Sequence, residues 1–132
     1  MDFVLKAIKT KYDANTALAA MAPLYHASSI DDTQAFPFVT FSVPTIGPGG
    51  EIYSGRYEDV LVQFSIWSES KSQVESYAIF TLLDNEFNNS SLTYTAGFYS
   101  RQIVRMAMRA PILEEKIWHL SADYRVLTLA SQ

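Results

Sequence analysis

A chain of 132 residues and 14.9 kDa has the length of one ordinary domain, long enough to bury about two-thirds of its unfolded surface without disulfide or metal staples. Hydrophobic residues at 48% and aromatics at 14% support a packed core, while charged residues at 18% fall below the usual share of about 25%. A net charge of −4 with a pI near 5.0 argues against a dedicated nucleic-acid binder, and the lack of cysteine excludes disulfide frameworks, thiol chemistry and cysteine-type zinc sites.

The opening stretch "MDFVLKAIKTKYD" has no long apolar run, so neither a signal peptide nor a membrane span is expected there, and the chain is expected to be made in the cytoplasm. Val4, Leu5, Ile8 and Tyr12 share one helical stripe, with Lys6, Lys9 and Lys11 around the remainder. Asp13 or Asn15 can cap a short second helix, "TALAAMA", which Pro23 closes. Residues 24–35 read as irregular, with "SSIDDTQ" as an exposed loop.

The period then changes to two. "FVTFSV" places Val39, Phe41 and Val43 on one face, and "YEDVLVQFSIW" does the same for Val60, Val62, Phe64 and Ile66. Between them lies "IGPGGEIYSGR", which holds four of the chain's five glycines and reads as a flexible hairpin connection between strands 38–43 and 57–67. Ser70 and Gln73 form an S-x-x-Q capping box for a helix with Val74, Tyr77, Ala78 and Leu82 as its stripe. "LTYTA" is compatible with a further short strand. Two long strands follow, near 98–109 and 116–128, joined by a turn containing Pro111, Glu114 and Glu115. The first alternates Val104, Met106 and Met108, read as core, with Arg101, Arg105 and Arg109, which then share one face at about 13 Å spacing. Arg125 is expected to join that face from the neighbouring strand. The order predicts an α+β fold of two layers, a mainly antiparallel sheet of four to five strands with helices packed on one face, in a single domain spanning 1–132.

No catalytic constellation emerges from these residues. The glycine stretch lacks the Lys-Ser or Lys-Thr of a phosphate loop and precedes a strand, whereas a phosphate cradle needs a helix N-terminus. The two histidines, His26 and His119, stand in no metal-ligand spacing. Asp31/Asp32, Glu58/Asp59 and Glu114/Glu115 are sequence neighbours, which on a strand point to opposite faces and form no dyad. The serines around 65–76 lack a nucleophile elbow. No catalytic residue, cofactor or metal site is expected. Two features suit a surface that meets a partner. One is the glycine stretch with Ile46, Gly47, Gly49, Gly50, Ile52, Tyr53 and Arg56, expected to order on docking. The other is the row of Arg101, Arg105 and Arg109, which suits a partner subunit or passing nucleic acid and equally a plain polar sheet face.

The succession in 60–128 resembles the tail terminator (tail completion) proteins of long-tailed bacteriophages. The resemblance is carried by "VLVQFSIWSES" running into the helix "SQVESYAIFTLLDNEF", then "FYSRQIVRMAM" and the closing strand "WHLSADYRVLTL". The leading helix, the alanine-rich helix at 16–22 and "FPFVTFSV" fit as well, so the resemblance spans nearly the whole chain through patterning with few fixed residues. It implies a non-enzymatic virion protein at the head-proximal end of the tail. Such a protein forms a homo-oligomeric ring, usually a hexamer, that caps the tail tube, ends its polymerisation and joins the tail to the head-side neck. The implied partners are further copies of itself, the tail tube protein and a neck or connector protein, with DNA only passing through the channel and no membrane. A head-completion or neck connector protein, or a small ligand-binding or enzymatic α+β domain, are the alternative readings.

Overall fold

The computed structural model describes residues 2–29, 34–52, 55–92, 94, 98–100 and 102–130, with backbone alone at 2–3, 45–52, 55–58, 98–99 and 129–130. Helix α1 (Asp2–Ala14) buries Val4, Ile8 and Tyr12, the stripe expected from their spacing. The Tyr12 hydroxyl donates to the Ala22 carbonyl at 2.7 Å, which ties α1 to the end of α2 (Thr16–Met21). Burial, with Asp13 adding a smaller push, raises the Tyr12 phenol well above its ordinary range. Asn15 is the residue that caps α2, its Oδ1 accepting the Leu18 N–H at 3.0 Å. Past Pro23 the chain is not irregular, as expected, but forms strand β1 (Leu24–His26) and a 3-10 turn, Ala27–Ser29. A three-residue strand is too short to display an alternation, which is why periodicity misses it.

Five further strands and one helix follow: β2 (Phe38–Ile52), β3 (Gly55–Ser68), α3 (Val74–Phe87), β4 (Phe98–Ser100), β5 (Val104–Glu114) and β6 (Ile117–Ala130). The sheet runs β1-β2-β3-β6, and β4 and β5 lie one after the other along the far side of β6. Only the β1–β2 pair is parallel among the described pairings. Val39, Phe41, Val60, Val62, Phe64, Ile66, Leu120, Ala122, Tyr124 and Val126 form one buried sheet face, against which Ile8, Leu18, Ile79, Leu83 and Phe87 pack. This is the expected two-layer α+β architecture, with the short β1 and β4 bringing the described sheet to six strands.

Two local expectations are corrected. The buried stripe of α3 is Ser76, Ile79, Phe80, Leu83 and Phe87, while Val74 and Tyr77 are exposed. The helix is apolar on more than one side, so its sequence offers two stripes, and the buried one begins with a serine. The Ser70/Gln73 box does not form. Gln73 occupies the cap position without a side-chain cap bond. Ser68 instead donates to Glu75 at 2.5 Å and accepts the Ser70 N–H at 3.2 Å, a bracket that turns β3 into the helix.

The β5–β6 hairpin differs as well. Its turn is Glu115 and Lys116, both left-handed at φ 48° and 69°, closed by the Glu114/Ile117 pair. Pro111 is not in that turn. It stands inside β5 at an irregularity between Arg109 and Ile112, where no ladder N–H is required.

Candidate interaction surface

The glycine-rich stretch is ladder where a flexible connection was expected. β2 and β3 stay paired to the end, with Ile46 opposite Val60, Gly47 opposite Asp59, Gly50 opposite Tyr57, Glu51 opposite Arg56 and Ile52 opposite Gly55. Two register shifts accommodate the awkward residues, the first between Ser42 and Thr45 around Pro44, the second between Pro48 and Gly50 around Gly49. Glycine and proline therefore mark bulges in a long hairpin arm, where sequence reading saw the end of the strands. The stretch delivers the chain into a strand, so it lacks the helix N-terminus of an anion cradle. Tyr53 and Arg101 lie outside the described residues.

The arginine row does not share a face. Arg105 stands opposite Tyr124, on the helix side of the sheet, and Arg109 stands opposite Ser121, on the other side. A bulge between Arg105 and Ala107 adds one residue to β5 and reverses the alternation at that point. Each arginine whose side chain is described meets a carboxylate. Arg105 Nη1 lies 3.0 Å from Asp84 Oδ2, with its guanidinium 5.5 Å from the centre of the Phe80 ring. Arg109 grips Asp123 through Nη2 at 2.7 Å and Nη1 at 3.3 Å, and donates to Ser121 Oγ at 3.0 Å. The Asp123 hydrogen bond and charge raise the Arg109 guanidinium above its ordinary value. Arg125, on the same sheet side as Arg109, holds Asp59 at 2.8–2.9 Å. Arg105, Arg109 and Arg125, each answered by a carboxylate, form no uncompensated basic strip for phosphates to neutralise among the described residues.

The methionines read as core are exposed. Met106 and Met108 retain 57% and 37% of their accessible surface, because β5 is covered by a strand only on its β6 side among the described residues. The helix layer reaches β5 chiefly through the Asp84–Arg105 pair and the Asn88 side chain, whose Oδ1 accepts the Arg105 N–H at 3.0 Å.

The sheet face turned away from the helices carries one transverse row that sequence reading did not assemble. Phe38, Trp67, His119 and Ile112 lie opposite one another across β2, β3, β6 and β5. Trp67 and His119 stack at 4.0 Å with planes 4° apart, Phe38 lies 6.4 Å from Trp67, and the Trp67 indole donates to Thr40 Oγ1 at 3.2 Å. His119 Nε2 is buried with no hydrogen-bond partner among the described residues. Burial lowers its pKa below the ordinary histidine value, Arg109 adds to that, and Glu114 opposes it. The next two rows of this face are mainly polar, Thr40, Ser65, Ser121 and Arg109, then Ser42, Gln63, Asp123 and Ala107, and beyond them Leu61 and Val104 flank Arg125. Only the strand register brings these residues together, and a lone histidine on a polar stripe gives no sequence signal of a stacked partner.

Among the described residues no group of three His, Cys, Asp or Glu side chains could hold a metal ion, and no helix is long and apolar enough to cross a membrane. No protein-family model and no curated protein matches the chain. Among solved structures it is similar to a chain of "Virion of native gene transfer agent (GTA) particle", with a TM-score of 0.77 over 95% of this chain and 93% of that one, at 13% identity. The two chains share a fold.

Proposed function

We propose that this chain is a non-enzymatic structural subunit of a phage-type virion. In that reading, copies of it form a ring at the head-proximal end of the tail that caps the tail tube, stops its polymerisation and joins it to the neck. The observation that carries the reading is the fold shared, over nearly the full length of both chains, with a component of a gene transfer agent virion. The motif succession quoted above supports the tail-terminating role within that class. The surface chemistry agrees with it. Ion pairs that close within the subunit suit a channel past which DNA moves without being read, and a long two-stranded arm suits contact with a neighbouring subunit or the tube end. In this role the arm residues Ile46, Gly47, Gly49, Gly50, Ile52, Tyr53 and Arg56 belong to the docking surface, together with the strand that carries Arg105 and Arg109.

The test is negative-stain microscopy of the purified protein, alone and mixed with tail tubes. Rings of uniform size, found alone or seated on tube ends, are the expected result. A uniform population of monomers with and without tubes would sink the proposal. Binding to portal or neck rings with no affinity for tube ends would instead assign the chain to the head side of the joint.

A further inference from the structure

Five of the eight large apolar side chains exposed among the described residues sit on the single strand β5: Val104 at 46%, Met106 at 57%, Met108 at 37%, Ile112 at 57% and Leu113 at 53%. They occupy both sides of the strand. Val104 and Ile112 lie opposite Arg125 and His119, on the face away from the helices, while Met108 and Leu113 lie opposite Ala122 and Trp118, on the helix side. An eleven-residue edge strand with apolar groups on both faces has no reason to face water. The cations among them carry no unmet charge, since Arg105 is paired with Asp84 and Arg109 with Asp123. From Val104 to Leu113 the strip is thus apolar with its two cations paired, the composition of an interface centre.

Resting on the ring reading above, we infer that β5 is covered by a second copy of this chain, which presents the opposite side of its own sheet. That opposite side is also largely without a pairing strand among the described residues. β1 covers β2 only at Val39, Thr40 and Phe41, and beyond them, among the described residues, no strand pairs with β2 away from β3. Among the described residues, each copy therefore carries two unlike sides, at opposite ends of one sheet, that no strand pairs along most of their length. A head-to-tail contact needs that arrangement, and rotation can close such contacts into a ring. The contact is made by side chains and not by a continuous backbone ladder. Pro111 and two irregularities interrupt β5, and Pro44 and Pro48 with two register shifts interrupt β2, so neither strand offers an unbroken row of N–H and C=O groups. The interface residues are then the exposed apolar groups of β5.

The test uses the full chain with Met106→Asp and Ile112→Asp combined, beside Val74→Asp, a still more exposed apolar site on α3. Mass photometry and electron microscopy, alone and with tail tubes, read the assembly, and circular dichroism reads the fold. The double variant is expected to stay at 14.9 kDa with an unchanged spectrum while Val74→Asp assembles as the wild type does. Hydrogen–deuterium exchange on the wild type is expected to show β5 protected in the ring and not in the dilute monomer, a measurement that stands even where the double variant fails to fold. Rings that persist in the double variant, or β5 exchange unchanged between ring and monomer, overturn this inference and leave the ring reading intact. Intact rings that no longer cap tubes assign β5 to the tube protein and also overturn it. Absence of any ring for the wild type, with or without tubes, overturns both.

Discussion

The Tyr124 hydroxyl donates to Asp84 Oδ1 at 2.8 Å, and Arg105 holds the other oxygen of the same carboxylate at 3.0 Å. One aspartate on α3 therefore secures the buried middle of β6 and the edge strand β5 together. Burial and the Asp84 contact raise the Tyr124 phenol far above its ordinary range, so the tyrosine is a donor at any working pH. Hydrogen bonds to charged groups contribute about 1.5–3 kcal/mol, so Tyr124→Phe is expected to lose about 2 kcal/mol in urea unfolding. Asp84→Ala removes both contacts and is expected to cost on the order of 3 kcal/mol. Because the two substitutions delete one shared bond, the double variant should fall clearly short of the sum. Strict additivity would show that the network is not a unit.

The buried stripe of α3 makes a second prediction by contrast within one helix. Leu83 is fully buried among the core residues, whereas Val74 keeps 69% of its surface. Leu83→Ala is expected to cost about 3 kcal/mol through lost burial and a cavity, and Val74→Ser to stay within about 0.5 kcal/mol. Chemical denaturation of the two variants checks this directly. The reverse ranking would mean that the helix sits on the sheet by its other side.

Much of the fold was legible because one face of the sheet is dry. Val60, Val62, Phe64 and Ile66 must alternate with tolerant positions, and they do; Val4, Ile8 and Tyr12 must recur at helical spacing, and they do. Legibility failed where the burial signal was weak or where backbone geometry intervened. On α3 a serine opens the buried stripe, so Val74 and Tyr77 looked like the better inward pair. On β5 the bulge after Arg105 involves no glycine, and nothing in the residue order shows that Arg105 and Arg109 part to opposite faces. The exposed strip is hidden for a different reason, since apolar and charged residues alternate alike on a half-buried strand and on an uncovered edge strand. Across the open face, the Phe38, Trp67, His119 and Ile112 row exists only through the register of four strands.

The hairpin arm gives a third prediction, tied to the proposed role. Replacing residues 51–56 by Asn-Gly closes the hairpin on the Gly50/Tyr57 pair with a favoured two-residue turn, and leaves the rest of the ladder in register. The shortened protein is expected to keep its circular dichroism spectrum and to lose its grip on tube ends in microscopy. Unchanged capping would show that the arm tip makes no contact that matters for docking.

The stacked His119 sets a pH dependence whose direction follows from its surroundings. Its imidazole lies against Trp67 with Nε2 buried and unpartnered among the described residues, and burial lowers its pKa below that of the unfolded chain, with Arg109 lowering it further and Glu114 opposing. The unfolded state therefore binds the proton more readily. At pH above the unfolded value of about 6.5 both states are neutral and the group has no effect on stability. As the pH falls below that value the unfolded state gains the proton first, and the folded state loses stability until the folded pKa is passed. Melting temperatures measured between pH 7.5 and pH 5, as a range of about two and a half units around the histidine value, are expected to fall. His119→Phe keeps an aromatic ring against Trp67 and has no proton to bind, so its profile over the same range should be flatter than that of the wild type. Equal slopes for the two proteins would remove His119 as the source.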